Sequence, residues 1–217
     1  GDVLMATEIE MKLSVPSHEV MDQILQDPQL TQYMRDEPET RHMRSTYYDT
    51  EDGALCARRW TLRLRDEGGT PVVAMKTPNA NAGTGLYTRH EWQCRAARPE
   101  EAVPRLVEQG APASLMQLTQ GKRLEAICRA EFDRRSTCLY LPDGVRIEIA
   151  ADEGVLSGGG NEQPLRELEL ELLFGESEAL PPISRRLIET YGLTEEPQSK
   201  FQRAIALCRA RTENPAE

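Results

Sequence analysis

The chain of 217 residues contains no apolar run that approaches the ~18 residues of a membrane-spanning helix. Its opening residues lack the pattern of a secretory signal peptide. Basic residues are fewer than acidic ones, 26 against 36, and the net charge of −10 argues against a nucleic-acid partner bound through bulk charge. The five cysteines form no C-x-x-C pair and the three histidines show no metal-ligand spacing. We therefore expect reduced thiols in a cytoplasmic protein with no membrane partner, and we leave its oligomeric state open.

What the sequence does contain is a repeated alternation of charged and apolar residues. In the segment TEIEMKL, at 7–13, Glu8, Glu10 and Lys12 alternate with apolar residues. Successive side chains of a β-strand point to opposite faces, so one face of this strand is charged and the other is apolar. The same alternation recurs in four more segments, at 61–65, 86–96, 145–152 and 167–173.

A charged strand face is usually a solvated face of a sheet packed on one side. Here, however, these faces contain almost no Ser, Thr, Asn or Gln, and their charges are segregated by sign. The acidic positions are Glu8, Glu10, Glu148, Asp152, Glu167, Glu169 and Glu171, and the basic positions are Lys12, Arg63, Arg65, Lys76 and Arg89. The alternative is a closed antiparallel barrel with a charged lumen and helices over its apolar outer face. Arginine and lysine bind phosphate oxygens, and carboxylates bind Mg²⁺ or Mn²⁺, so such a lumen suits a metal-bound phosphate compound.

Helices are predicted between the strands. The first starts at the N-cap Ser17 and stops near Pro28, two more begin after Pro99 and Pro181, and the last covers 199–210. Glycine-rich segments at 79–85 and 157–164 are predicted to be loops. The segment at 46–69 is predicted to be a strand, a turn at Asp52-Gly53 and then a second strand.

An ordered set of motifs resembles the CYTH superfamily, the triphosphate tunnel metalloenzymes, and within it the bacterial inorganic triphosphatases. The motifs are Glu8-x-Glu10-x-Lys12, LRLR at 62–65, Lys76, Arg89-x-Glu91, EIAAD at 148–152, ELELEL at 167–172 and SKFQR at 199–203. The resemblance implies a mainly β (α+β) fold, a closed eight-stranded antiparallel β-barrel with flanking helices that forms a tunnel. It also implies two divalent metal ions, Mg²⁺ or Mn²⁺, and hydrolysis or cyclisation of triphosphate compounds.

The resemblance covers about residues 6–210, which we expect to be the tunnel domain. We expect residues 1–5 to be a cloning remnant and residues 211–217 to be a flexible tail. Many bacterial relatives carry a further helical, histidine-rich CHAD domain, so the chain is either a stand-alone version or a shortened one.

Site residues follow from the resemblance position by position. The residues implied to bind substrate are Lys12, Arg63, Arg65, Lys76, Arg89, Arg134, Lys200 and Arg203. The residues implied to bind metal are Glu8, Glu10, Glu148, Asp152, Glu167 and Glu169, and those implied to be catalytic are Glu8, Glu10 and Glu169. Arg129 and Arg135 compete with Arg134 for the inward position, and we favour Arg134. Glu171 shares the phase of Glu169 and is expected near the tunnel mouth.

The function that these residues predict is metal-dependent hydrolysis of a triphosphate compound, with inorganic tripolyphosphate giving phosphate and pyrophosphate. Thiamine-triphosphatase or adenylyl cyclase activity, or a non-catalytic module that binds polyphosphate or nucleotide, are the alternatives. Aromatic residues make up only 5% of the chain. We expect Tyr47, Tyr48 and Trp60 to pack rather than stack on substrate, and tripolyphosphate to be preferred over ATP.

Overall fold

The computed structural model describes residues 4–78 and 86–210, so the predicted loop at 79–85 and the predicted tail at 211–217 lie outside the described residues. The strands of the described chain are β1 (Leu4–Ser14), β2 (Glu39–Thr50), β3 (Thr61–Asp66), β4 (Val72–Pro78), β5 (Tyr87–Arg95), β6 (Leu124–Tyr140), β7 (Arg146–Gly158), β8 (Asn161–Phe174) and β9 (Thr194–Glu195).

Short helices connect these strands. They are α1 (His18–Leu25), α2 (Pro28–Thr31), α3 (Ala54–Ala57), α4 (Pro99–Glu108), α5 (Ser114–Thr119), α6 (Leu180–Tyr191) and α7 (Lys200–Arg209), with a 3-10 turn at Ser177–Ala179. The helix predictions are confirmed, including the Ser17 cap, whose hydroxyl accepts a hydrogen bond from the Val20 amide. None of the helices within 4–78 and 86–210 is long and apolar enough to cross a membrane.

The sheet closes on itself through β1. Its strand order is β5-β4-β3-β2-β6-β7-β8-β1, every pairing is antiparallel, and β1 also pairs with β5. Residues 4–10 of β1 pair with β5, whereas residues 10–14 pair with β8. The predicted closed eight-stranded antiparallel barrel is therefore confirmed, and β9 adds a short extra strand to β1.

Two apolar layers cover the outer face of the barrel. One packs β1, β7 and β8 against α1 and α6, and it includes the fully buried Leu13, Ile147 and Leu168. The other packs β3 to β5 against α4 and α5, and it contains Trp92. These layers bury the apolar half of the alternating pattern, which leaves the charged half on the inner face.

The inner face itself has an apolar floor. Phe132 and Leu156 of the barrel pack there against Phe201 and Ala204 of α7. A side chain at Gly158 would approach the Ala204 carbonyl oxygen to 2.5 Å, so glycine lets α7 lie directly on β7. Helix α7 thus fills one end of the barrel, and the charged part of the interior lies on the other side of this floor.

Two local predictions need correction. The predicted loop at 157–164 is mostly strand, because β7 and β8 join through a two-residue turn at Gly159 and Gly160, both with positive φ as such a hairpin requires. The segment after Gly53, predicted to turn directly into the next strand, first forms α3. The Asp49 carboxylate accepts backbone hydrogen bonds from the α3 residues Leu55 and Cys56 at 2.9 Å each, which stabilises that helix.

Candidate active site

The inner face of the barrel encloses a cavity of about 260 Å³ with a mainly charged wall. Directly opposite residues of an antiparallel pair share a face, so the register places Lys12 beside Glu169 and Glu8 beside Arg89. The charged residues of the wall are Glu8, Glu10, Lys12, Arg63, Arg65, Glu67, Lys76, Arg89, Glu91, Arg134, Glu169, Glu171 and Lys200. A cavity of this size and charge suits a small polyvalent ion.

Lys200 enters the cavity from the first turn of α7. The Ser199 side chain accepts a hydrogen bond from the Gln202 amide, and the Gln202 side chain accepts one from the Ser199 amide. This capping box fixes where the helix begins, and therefore the position from which the lysine side chain leaves it.

Three carboxylates surround the Lys200 ammonium. Its Nζ lies 2.8 Å from Oδ2 of Asp152 and 2.7 Å from Oε1 of Glu169, and it also contacts Glu167. Arg134 donates to both oxygens of Asp152 at 2.7 Å. Asp152 and Glu167 are fully buried, so this cluster is stable only because its cations neutralise it.

The pKa values of this cluster reflect that pairing. Burial acts to raise the pKa of Asp152, but the charges of Lys200 and Arg134 outweigh it and hold the pKa below its ordinary value. The same opposition holds the pKa of Glu169 well below its ordinary value. Burial acts to lower the pKa of Lys200, and the surrounding carboxylates raise it instead. Asp152, Glu169 and Lys200 are therefore charged at neutral pH.

A second group of carboxylates forms no ion pair with any residue in the part of the chain that the structure describes. Glu10 and Glu171 lie directly opposite each other, and Glu148 lies opposite Glu171 on the other side. Burial, with the charges of Glu169 and Glu8, raises the pKa of Glu10 to about 7. Burial and the neighbouring acids raise the pKa of Glu171 to about 8, and burial also raises that of Glu148. A cation bound next to this acidic group would reduce the repulsion among its carboxylates.

Glu8 belongs to a third arrangement, with the basic residues of β3 and β4. Lys76 Nζ donates to Glu8 at 2.9 Å, and this charge holds the pKa of Glu8 below its ordinary value although burial opposes the shift. Glu91 lies 3.8 Å from both Lys76 and Arg63. The Nε of Arg63 is buried without a hydrogen-bond partner in the described part of the chain, and Arg63 is one of the residues that line the cavity.

Deeper cations are held by neutral groups. Arg65 Nε donates to the Ser45 hydroxyl at 2.8 Å, and burial lowers the pKa of Arg65 to about 9. Lys12 Nζ donates to the Gln198 carbonyl at 2.5 Å, and burial also lowers its pKa. Neither cation forms an ion pair with a carboxylate of the described residues, so both are available to an anion.

A family model decides the relationship that this geometry suggests. The model of the CYTH domain matches residues 6–205, which is most of the chain. The chain belongs to the CYTH family.

A curated relative of this CYTH domain is the inorganic triphosphatase of Haemophilus influenzae. The two are 28% identical over 179 residues, which is 79% of this chain and 47% of the relative. The CYTH domain described here therefore spans about half the length of that protein.

Solved structures share the fold. A Hippeastrum protein, described as a candidate adenylyl cyclase with a dominant triphosphatase activity, superposes with a TM-score of 0.59 at 19% identity, covering 94% of this chain and 96% of its own. A candidate adenylate cyclase from Bacillus halodurans gives a TM-score of 0.58 at 19% identity, covering 92% and 97%. At these identities the likeness shows the fold alone.

Within this CYTH domain, the cavity brings together most of the predicted site residues. Those that line it are Glu8, Glu10, Lys12, Arg63, Arg65, Lys76, Arg89, Arg134, Glu169 and Lys200. Glu171, expected only near the mouth, lines it as well. Arg134 is the inward arginine of its segment, because Arg135 pairs with Asp22 and Glu153 on the outside.

Other predicted residues lie outside the lining. Asp152 and Glu167 are buried behind it, where they hold Lys200. Arg203 contacts Glu167 and lies 3.8 Å from Glu196, so its guanidinium faces these acids and not the cavity. Glu148 is half-buried and lies opposite Glu171, one of the residues that line the cavity.

Sequence reasoning missed some contacts that the structure shows. Tyr47, expected only to pack, is buried against Phe201 at 5.2 Å between ring centroids and also lines the cavity. Glu91, which the sequence gives only as part of the Arg89-x-Glu91 motif, contacts Arg63 and Lys76. The strand register alone pairs Lys76 with Glu91 and could have revealed that contact.

Proposed function

We propose that this CYTH domain hydrolyses triphosphate compounds with the help of divalent metal ions, and that inorganic tripolyphosphate is its main substrate. The observation that carries the proposal is that one small cavity holds both a cationic set and carboxylates that form no ion pair with any described residue. The name of the Haemophilus influenzae relative supports the same activity.

The basic side chains of the cavity bind the substrate. Arg63, Lys76 and Arg89 line one wall, and Arg65, Arg134 and Lys200 line another part of the same cavity. Charge-assisted hydrogen bonds to phosphate oxygens are among the strongest that side chains make. A triphosphate held by these groups is fixed in position, and its negative charge is offset from several directions.

The acidic side chains fit divalent metal ions. Asp152, Glu167 and Glu169 have oxygens within 4.8 Å of one another, but the Lys200 ammonium already lies among them. We therefore assign metal binding chiefly to four carboxylates, those of Glu8, Glu10, Glu169 and Glu171. Glu148, opposite Glu171, is a further candidate ligand. Carboxylate oxygens are the ligands that Mg²⁺ and Mn²⁺ prefer, and added cations would relieve the repulsion that raises the pKa values of Glu10 and Glu171.

The chemistry follows from these two sets. Bound divalent ions would neutralise phosphate charge and make a bound water more acidic. Glu8 and Glu10 would hold that region of the cavity negative, while Arg134 and Lys200 stabilise the charge that develops on the departing oxygen. Water adds to a terminal phosphorus as the bridging P–O bond breaks, which converts tripolyphosphate into phosphate and pyrophosphate.

A phosphate-release assay tests the proposal. Tripolyphosphate, ATP and thiamine triphosphate would be compared with Mg²⁺, with Mn²⁺ and with a chelator. We expect release from tripolyphosphate that stops when the metal is removed. Binding of tripolyphosphate without release under any metal condition would favour the non-catalytic module instead.

A further inference from the structure

Beyond the charged cavity, the inner face of the barrel continues along its longest strands. Glu171 lines the cavity and lies opposite Glu148 on β7. Two residues farther along β7 comes Arg146, about 7 Å away at the usual rise of a strand. The strands β6, β7 and β8 thus extend the inner wall past the cavity as an open rim.

Three side chains lie side by side on this rim. Arg146 is directly opposite Tyr140 on β6 and Phe174 on β8. Their neighbours Leu139 and Ile147 are fully buried in the outer layer under α1 and α6, so by alternation Tyr140 and Arg146 face inward. The pairing of β7 with β8 shifts register next to Arg146, and this bulge brings Phe174 onto the same face.

The rim is both aromatic and cationic. Arg35 stacks on Tyr140 with its Cζ 3.8 Å from the ring centroid, and the Cζ of Arg146 is 5.4 Å from the same centroid. Neither arginine forms an ion pair with any residue of the described ranges. Phe174 is 66% exposed, which is unusual for a phenylalanine.

We propose that Phe174 and Arg146, next to the arginine-stacked Tyr140, form a subsite that stacks the base of a nucleoside triphosphate and disfavours a triphosphate whose organic group is cationic. The proposal rests on the proposed function, since it requires the triphosphate itself to lie in the cavity. The cavity of about 260 Å³ is smaller than the ~300–1,000 Å³ of sites that enclose drug-sized ligands, so a nucleoside projects from it toward the rim.

The chemistry of the rim distinguishes between organic groups. A neutral nucleobase stacks favourably on an aromatic ring and on a guanidinium plane. The two unpaired arginines repel a group that carries its own positive charge, such as the thiazolium of thiamine triphosphate. We therefore expect nucleoside triphosphates to be a second class of substrate and thiamine triphosphate to be a poorer substrate than they are.

The test uses Phe174→Ala and, as a matched control, Leu173→Ala, the adjacent exposed residue that the bulge leaves off this face. Loss of an exposed stacking partner should lower kcat/KM for ATP relative to tripolyphosphate about five- to tenfold. Leu173→Ala should leave that ratio unchanged. Arg146→Gln should raise the rate with thiamine triphosphate relative to ATP.

Dissociation constants for ATP and tripolyphosphate, measured by calorimetry, give the same ratio without turnover. They separate failure of the rim from failure of the proposed hydrolysis. An unchanged ratio in Phe174→Ala, an equal change in Leu173→Ala, or no binding of ATP by the wild-type protein would each overturn the proposal for the rim.

Discussion

Glu10 and Glu171 lie directly opposite each other on β1 and β8, and neither carboxylate forms an ion pair with any residue that the structure describes. Glu10 is buried and Glu171 is half-buried, so their carboxylates repel each other unless a proton or a cation lies between them. Their neighbours Glu8 and Glu169, by contrast, each have a lysine partner. A cation bound near Glu10 and Glu171 would therefore relieve a repulsion that Glu8 and Glu169 do not experience to the same degree, because each of those two has a lysine partner.

The first prediction concerns the carboxylate of Glu10. Glu10→Gln keeps the size of the side chain but removes a proposed metal ligand. Loss of a residue that only orients a metal ligand already costs about 10- to 100-fold, so the metal-dependent rate with tripolyphosphate should fall at least about 100-fold. Glu162→Gln, at an exposed position on β8, is the control and should retain the wild-type rate. A wild-type rate in Glu10→Gln at the same free Mg²⁺ would remove Glu10 from the metal site.

The second prediction concerns stability and pH in the absence of metal. With pKa values of about 7 and 8, Glu10 and Glu171 keep protons in the folded state that unfolded carboxyl groups release near pH 4.5. The folded protein then binds more protons than the unfolded chain, so its stability should fall as pH rises from 5 to 8.

Thermal melts of the metal-free protein across this range measure that slope. The double variant Glu10→Gln, Glu171→Gln should show a smaller fall of stability with pH than the wild type. The surface histidines His18 and His42 have raised pKa values and give a slope of the same sign above pH 6.5, but they are present in the wild-type and double-variant proteins alike. Equal slopes in the wild-type and double-variant proteins would show that the two acids ionise normally.

The third prediction separates binding from chemistry at Arg63. Its Nε is buried with no partner in the described chain, so a phosphate oxygen is its expected acceptor. Arg63→Ala should raise KM for tripolyphosphate about 10- to 100-fold, the equivalent of one charge-assisted hydrogen bond of ~1.5–3 kcal/mol. Arg44→Ala, an exposed arginine on the adjacent strand β2, should leave KM unchanged. An unaltered KM in Arg63→Ala would mean that substrate does not reach this wall.

The fourth prediction assigns Arg203 to stability. Its guanidinium contacts the fully buried Glu167, and Lys200 shares that carboxylate. Arg203→Ala should destabilise the fold by about 1–3 kcal/mol, because a buried acceptor loses a partner. Arg185→Ala, on the exposed side of α6, is the control for chemical denaturation. If Arg203→Ala unfolds at the wild-type denaturant concentration but binds tripolyphosphate weakly, Arg203 acts on substrate after all.

Strand alternation predicted which residues share a charged face, whereas the closed eight-stranded barrel was implied by the family resemblance, and both predictions are confirmed. The strand face on which a side chain lies depends only on its position along that strand. Glu8, Glu10 and Lys12 face inward because the alternating Met11 and Leu13 are buried on the other side. The capping box at Ser199 is also local, and the predicted start of the last helix is confirmed.

Depth along the barrel was not predictable in the same way. Glu167 and Glu169 share a phase, yet only Glu169 reaches the cavity, because α7 packs into the barrel end beside Glu167. That placement depends on how a helix distant in sequence meets three strands. The bulge that turns Phe174 inward has no sequence signal of its own, since it depends on the pairing of β7 with β8.

The most direct test of metal-dependent triphosphate hydrolysis is the product pattern from tripolyphosphate, followed by phosphorus NMR at saturating Mg²⁺. We predict that phosphate and pyrophosphate accumulate in equal amounts, that a chelator stops both, and that Glu10→Gln forms neither. Tripolyphosphate that persists unchanged beside folded wild-type protein with Mg²⁺ or Mn²⁺, or products that form equally fast with the chelator present, would contradict the account.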